Sequence, residues 1–306
     1  MLKISALPDA ELRQRLMADG VYFRTGTFVA HLRTRLEQVA ASFGLLYSDY
    51  PLLEGPYADF HVELAPPRGL RRWLRPQVDF IADGHAPFAA LPAGQAFPMF
   101  EWGLNWCVSS QAQHYLIIHA AVVERNGHAA ILPAPPGSGK STLCAALIHH
   151  GWRLLSDELT LIRIDDAALV PLPRPVSLKN ASIDVIKRYV PHATFSPSVT
   201  DTIKGTVAQM KAPSESIECA DQVAAPGWII FPRYEADAAL SLTPVPRSRA
   251  FMRVADNAFN YTRLGAAGFE ALKGVVAHSD CYDLRYSVLD EAIAAFDRLA
   301  SQAGKR

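Results

Sequence analysis

The sequence predicts an α/β protein whose later two-thirds carry a glycine-rich loop between a buried strand and a helix. Two apolar runs, at residues 116–124 and from residue 128 onward, flank an Asn126-Gly127 pair, which is a strong short-range signal for a β-hairpin. The second run leads directly into the letters PPGSGKST. A helix pattern and a further apolar strand follow, so the order is strand, turn, strand, loop, helix, strand.

Length and composition favour an ordinary globular protein of two domains. The chain has 306 residues, is half hydrophobic, and balances 30 basic against 30 acidic residues. This composition excludes disordered and collagen-like chains. The absence of net charge makes nucleic acid and anionic membranes unexpected partners. We expect a smaller N-terminal α+β domain at residues 1–110, binding a partner or substrate, and a catalytic domain at residues 111–306.

The remaining elements are read from periodicity and from turn residues. The N-terminus lacks the apolar segment of a signal peptide, and charged residues interrupt the most apolar stretch, 115–132. Widely spaced cysteines without a CxxC pair indicate reduced thiols, so a cytoplasmic protein is expected. The predicted elements are a helix at 10–18, a strand at 21–32, a linker at 85–98, helices at 99–113 and 141–150, strands at 153–164 and 228–231, and an amphipathic helix at 288–299.

The glycine-rich loop predicts a nucleotide phosphate site. Residues 134–141 fit the pattern GxxxxGK[ST], except that Ala134 stands at the first glycine. Glycines in such a loop let backbone N–H groups turn toward a phosphate, and the lysine and the hydroxyl supply contacts to phosphate and Mg²⁺. The expected cofactors are therefore ATP and Mg²⁺. The residues predicted to bind the nucleotide are Pro136, Gly137, Ser138, Gly139, Lys140, Ser141 and Thr142.

Two acids and a histidine lie where they can serve that loop. Asp157 and Glu158 fall inside the predicted strand 153–164, where adjacent acids are costly to bury unless they bind something. The functional interpretation is a metal ligand and a general base, with Ser141, Asp157 and Glu158 as the metal set; the alternative is an exposed strand end. His119 lies on the strand paired with the one that enters the loop, where it can tune Asp157 or simply fill the core.

These motifs together resemble HPr kinase/phosphorylase, and more closely the HPr-kinase-related serine kinases (the kinase A type). The resemblance covers roughly residues 112–265 and depends on IHAAVV, NGHAAILPAPPGSGKST, the helix ending HHGW, and LLSDE. It implies a catalytic domain of the HPr kinase/phosphoenolpyruvate carboxykinase type and possible homo-oligomers. It further implies transfer of the γ-phosphate to a serine of a small acceptor protein or peptide.

The resemblance also implies residue roles. Asp157 would take the proton of the acceptor hydroxyl, with His119 in support and Lys140 on the phosphates. Arg247 or Arg249 would stabilise the transferring group. The bifunctional enzymes carry an acidic ligand and an arginine after the acidic strand, whereas residues 174–179 offer Ser177 and Lys179. We therefore expect a kinase without phosphorylase activity.

Two other functions fit the same loop, and three lesser features have open interpretations. A small-molecule kinase acting on a sugar, nucleoside or amino acid is one alternative, and a non-catalytic nucleotide-binding scaffold is the other.

Lys204 is either a phosphate contact or a surface lysine. Trp102 and Trp106 are expected to pack between the two domains and not to bind a ligand. A basic cluster could hold an acidic peptide or nucleic acid, or be a solvated face; it comprises Arg68, Arg71, Arg72 and Arg75 with Trp73.

Overall fold

A computed structural model describes residues 1–67 and 75–303. The helices of this part are α1 (Asp9–Met17), α2 (Glu37–Leu46), α3 (Ala96–Gln111), α4 (Lys140–Ile148), α5 (Ala181–Tyr189), α6 (Ser214–Glu218), α7 (Arg247–Ala255), α8 (Tyr261–Leu264), α9 (Ala266–Ala277) and α10 (Leu289–Ala303), with short 3-10 helices at Ile4–Ala6 and Ala93–Gln95. The strands are β1 (Val21–Thr25), β2 (Phe28–Thr34), β3 (Leu52–Leu53), β4 (Phe60–Ala65), β5 (Gln77–Ala82), β6 (Leu91–Pro92), β7 (Tyr115–Arg125), β8 (His128–Pro133), β9 (Arg153–Ser156), β10 (Leu159–Arg163), β11 (Leu169–Val170), β12 (Val176–Lys179), β13 (Val199–Thr202), β14 (Gly205–Met210), β15 (Ala225–Tyr234), β16 (Ser241–Pro244) and β17 (Asp280–Tyr286).

The largest sheet has eight strands and is covered on both faces. Its order is β11-β10-β7-β8-β15-β17-β16, with β9 also paired to β7. Strands β8, β15 and β17 run parallel, whereas β7 is antiparallel to β8. Along β7, Ile117 and Ala121 belong to one apolar cluster with α4 and α10, while Ile118 and Val122 belong to another with α7 and α9. Burial on both faces explains why this part of the sequence is almost continuously apolar.

The hairpin predicted at Asn126-Gly127 is confirmed. Strand β7 pairs antiparallel with β8 from Ala120–Pro133 to Arg125–His128. Asn126 and Gly127 have φ values of 56° and 80°, which is the left-handed pair that a two-residue hairpin turn requires.

Within residues 1–67 and 75–100, the described strands form a separate sheet with the order β3-β1-β2-β4-β5-β6. The strand predicted at 21–32 is two strands, β1 and β2, because the chain turns at Gly26, where φ is 58°. One face of this sheet packs on α1, α2 and α3 through buried aromatic side chains such as Phe23, Phe43 and Phe80. The linker predicted at 85–98 contains β6, a 3-10 helix and the start of α3.

A third sheet has the order β12-β14-β13. The structure is thus mixed α/β with several sheets, as the sequence predicts, while the domain boundary near residue 110 stays a prediction. No helix within residues 1–67 and 75–303 combines the length and apolar character that crossing a bilayer requires.

Candidate active site

The glycine-rich loop connects the end of β8 to the start of α4. Gly137 and Gly139 both take left-handed conformations, with φ values of 85° and 86°. An added Cβ on Gly139 would lie 2.6 Å from the Tyr286 hydroxyl, whereas one on Gly137 would meet nothing within 4 Å. The Tyr286 hydroxyl also donates to the Gly139 carbonyl (3.1 Å), and the Tyr234 N–H donates to the Ser138 carbonyl (2.9 Å). The ends of β15 and β17 therefore hold the loop from one side.

Asp157 and Glu158 occupy a break between two strands that share one edge of β7. Strand β9 ends at Ser156, which pairs with Val122, and β10 begins at Leu159, which pairs with His119. The acids are therefore not inside a single strand, as the sequence had indicated, but at a bend where their side chains leave the ladder. The break lies level with the loop.

The register of the hairpin explains why His119 reaches the same place. Pro133, the last residue of β8, pairs with Ala120, so the loop starts beside His119. The Lys140 ammonium lies 3.3 Å from Nε2 of His119. Because an ammonium can only donate, Nε2 accepts, and the ring is neutral with its proton on Nδ1. Burial, and next the charge of Lys140, lower the pKa of His119 to about 4.

The two carboxylates have pKa values shifted in opposite directions. Asp157 is 5% exposed, and burial raises its pKa although Lys140 opposes the shift. Burial also disfavours the charged form of Glu158, but Lys204 and then Lys179 outweigh it and hold that pKa below its usual range. Adjacent carboxyl groups with divergent pKa values are typical of sites that need both a proton acceptor and a permanent anion.

The surroundings of Asp157 leave one of its oxygens available. The Ser177 backbone N–H donates to Oδ2 over 3.1 Å, and the nearby Ser141 hydroxyl lowers the carboxyl pKa. Within the described residues, Oδ1 is buried without a hydrogen-bond partner. A buried, unpaired carboxylate oxygen is costly and marks a place where a proton or a ligand can bind.

Three lysines converge on this pair of acids. Besides Lys140, Lys179 of β12 lies 4.0 Å from Oε1 of Glu158. Lys204, in the turn between β13 and β14, places its ammonium 4.7 Å from the ring centroid of Trp102 and acts on the pKa of Glu158. Three cations around two carboxylates leave the site positively charged, which suits a bound polyphosphate.

A polar network that was not predicted from the sequence contacts Glu158. Arg174 donates to Glu101 of α3 over 2.5 Å and to Oδ1 of Asn105 over 2.6 Å. The Asn105 amide in turn donates to Oε2 of Glu158. The available signal was the spacing of Glu101 and Asn105, two polar residues four apart in the mainly apolar part of the helix before its last turn, which places them on one helix face.

The two arginines carried over from the resemblance are not at the loop. Arg247 lines a cavity of about 450 Å³ with His128, Trp228 and Asp280. His128 begins β8, whereas the loop follows its other end, roughly 20 Å away along an extended strand. Arg249 is exposed in the same first turn of α7. The positive charge at the site comes from lysines instead.

Of the other sequence predictions, the loop residues, Ser141, Thr142, His119 and both acids are brought to one end of the large sheet. Arg68, Arg71, Arg72 and Trp73 of the basic cluster lie outside the described residues, so that interpretation stays open.

The residues present fit a magnesium ion that is shared with a nucleotide. Among residues 1–67 and 75–303, no group of three or more His, Cys, Asp or Glu side chains could hold a metal alone. Mg²⁺ usually takes one or two carboxylates and completes its shell with substrate phosphates and water. The Ser141 hydroxyl lies in the first turn of α4 beside Asp157, and the Glu158 side chain is 18% exposed. The oxygens of these residues can therefore supply the protein ligands of the ion.

Comparison with known proteins gives a match to a family model and matches to solved structures. A family model described as "ScmC: SynChlorMet cassette protein ScmC" matches residues 99–175, about a quarter of the chain, which includes the loop and both acids. Among solved structures, the chain is similar to the Hpr(Ser) kinase/phosphatase from Coxiella burnetii, at 12% identity and a TM-score of 0.28, over 61% of this chain and 98% of that one. No curated protein matches the sequence. A TM-score this low does not establish a shared fold, so the residues of the site carry the argument for function.

Proposed function

We propose that the protein is an ATP- and Mg²⁺-dependent phosphotransferase whose acceptor is a serine hydroxyl of a small protein or peptide. The observation that carries the proposal is the meeting of Lys140, His119 and Asp157 at one end of the large sheet. There, the left-handed glycines shape a loop that runs into helix α4. A loop of this kind cradles phosphates, and the acids beside it suit chemistry at the last phosphate.

In phosphoryl transfer, some residues of the site bind the phosphates, others transfer the proton, and others neutralise the negative charge. Lys140 and the N–H groups of residues 137–139 bind the phosphates, with the start of α4 adding its positive end. Asp157 takes the proton of the acceptor hydroxyl, because its raised pKa and the unpartnered Oδ1 suit a proton acceptor. His119 stays neutral and fixes the Lys140 ammonium.

Glu158 and Ser141 would hold Mg²⁺ together with phosphate oxygens. The lowered pKa of Glu158 keeps it ionised, as a cation ligand must be. When bound, the metal neutralises charge on the β- and γ-phosphates. Lys179 and Lys204, which face Glu158, then supply positive charge to the transferring group.

Calorimetric titration with ATP and MgCl₂ tests the binding half of the proposal. We expect the wild-type protein and Lys273→Met, which changes an exposed lysine of α9, to bind equally well. Lys140→Met should weaken binding by about a hundredfold, because a charge-assisted phosphate contact in a buried site is lost. Equal binding by Lys140→Met would refute the assignment of the loop.

The transfer half is tested by supplying labelled ATP with each class of acceptor. A serine-containing peptide library, a panel of sugars, nucleosides and amino acids, and no acceptor are compared. Transfer of label to peptides supports the proposal. Transfer only to metabolites would mean that the acceptor is a small molecule and not a peptide, and tight ATP binding without any turnover would indicate a non-catalytic scaffold.

A further inference from the structure

A hydrogen-bond path runs from Tyr47, the residue after helix α2, to Glu158; its first links are buried and its last two are partly buried. The Tyr47 hydroxyl donates to Oε1 of Glu101 over 2.8 Å, and Arg174 donates to Oε2 of the same carboxylate over 2.5 Å. Arg174 also donates to the Glu101 backbone carbonyl (2.9 Å). Glu101 and Arg174 are only 5% and 6% exposed. Their geometry is therefore fixed by packing and by at least three hydrogen bonds.

Asn105 is the link between this buried pair and the site, and its orientation is determined by its partners. A guanidinium has only donors, so the oxygen of the Asn105 amide must face Arg174, at 2.6 Å from Nη1. The amide nitrogen then faces Glu158 and donates to its Oε2. The other oxygen of Glu158, Oε1, faces Lys179 and lies 4.0 Å from its Nζ atom.

We propose that Asn105 is a positioning residue that holds the Glu158 carboxylate by one oxygen, so that the other is presented to the Mg²⁺ ion of the bound nucleotide. This inference rests on the proposed function, in which Glu158 is the carboxylate ligand of that ion. Partners that orient a metal ligand typically account for a ten- to hundredfold difference in metal affinity.

The consequence is that the N-terminal part of the chain completes the site. Asn105 and Glu101 lie on α3, on the N-terminal side of the predicted boundary near residue 110. Glu101, Trp102 and Asn105 line one small cavity together with Asp157 and Glu158. A chain beginning after α3 would retain the loop but lack the group that orients Glu158.

The test measures how much Mg²⁺ strengthens ATP binding, by calorimetry on the full chain. Asn105→Asp keeps the acceptor for Arg174, but it removes the donor to Glu158 and adds a repelling charge. Asn105→Ala removes both contacts, and Ser109→Ala, which changes a half-buried residue one turn further along the same helix, is the control. We expect the ratio of dissociation constants without and with Mg²⁺ to fall about tenfold in both Asn105 variants and to stay at the wild-type value in the control.

Four outcomes overturn the assignment or separate it from the proposed function. The assignment is overturned if the ratio of dissociation constants without and with Mg²⁺ is unchanged in both Asn105 variants. It is also overturned if the variants lose as much ATP affinity without Mg²⁺ as they lose with it. Failure of both variants to fold, read by chemical denaturation, assigns Asn105 to the fold instead. A wild-type protein that binds ATP with a Mg²⁺ effect but transfers no phosphate contradicts the proposed function and leaves the positioning role standing.

Discussion

The Lys140 ammonium and Nε2 of His119 lie 3.3 Å apart, so the lysine of the glycine-rich loop is held by a neutral histidine from the neighbouring strand. The pairing follows from the register of the β7–β8 hairpin, in which Ala120 pairs with Pro133. Burial of the ring disfavours its charged form, and protonation would also place a second cation against Lys140, so the pKa of His119 is lowered to about 4.

The lowered pKa of His119 predicts an acid-dependent loss of stability. In the unfolded chain the imidazole binds a proton as pH falls through 6.5, whereas in the folded protein it does so only near pH 4. The unfolded state thus binds more protons in this window, and the stability present above pH 6.5 is lost as pH falls toward 4. Chemical denaturation should show the wild-type protein losing about 3 kcal/mol more than His119→Gln between pH 7 and pH 4. Parallel pH profiles for the two proteins would contradict the buried neutral histidine.

Lysines rather than arginines should neutralise the transferring group. We expect Lys204→Met to lower kcat about a hundredfold with ATP affinity little changed, since a charge directed at the transition state is lost. Lys204→Arg should recover much of the rate. Arg247→Met, which changes a residue at the other end of the strands, is the matched control and should transfer at the wild-type rate. Steady-state kinetics check all three variants, and a loss confined to Arg247→Met would reverse the assignment.

The two loop glycines should differ in their tolerance of a methyl group. In Gly137→Ala the new methyl group would lie in open space, so only the left-handed φ is unfavourable. This should lower the free energy of unfolding by roughly 1 kcal/mol. Gly139→Ala adds a steric clash with Tyr286, for a loss of roughly 3 kcal/mol. Thermal and chemical unfolding compare the two variants. Equal losses would show that the contact with Tyr286 does not constrain the loop.

The sequence predicts the parts of this site that depend on local signals. The Asn126-Gly127 turn requires two left-handed residues, and the loop requires Gly137 and Gly139 at positive φ, so both are legible from residue types alone. The mixed α/β class follows from the order of strands and helices around them.

The rest depends on tertiary packing that local patterns do not encode. The break at Asp157 and Glu158 depends on two strands sharing one edge of β7, which a single apolar run does not reveal. Arg174, Asn105 and Glu158 meet only because α3 packs beside the break. Arg247 matched a sequence motif but lies at the opposite end of β8, because the chain places α7 at the starts of the parallel strands.

In the proposed mechanism, Asp157 accepts a proton during transfer of the γ-phosphate at this site. The most direct measurement is the rate at which label is transferred from γ-labelled ATP to water and to a serine peptide library. The wild-type protein is compared with Asp157→Asn, after calorimetry has shown that the two proteins bind ATP with the same affinity. We predict a rate lower by about a thousandfold in the variant, because the amide is nearly isosteric but does not accept the proton. Equal rates of transfer by both proteins would contradict the account.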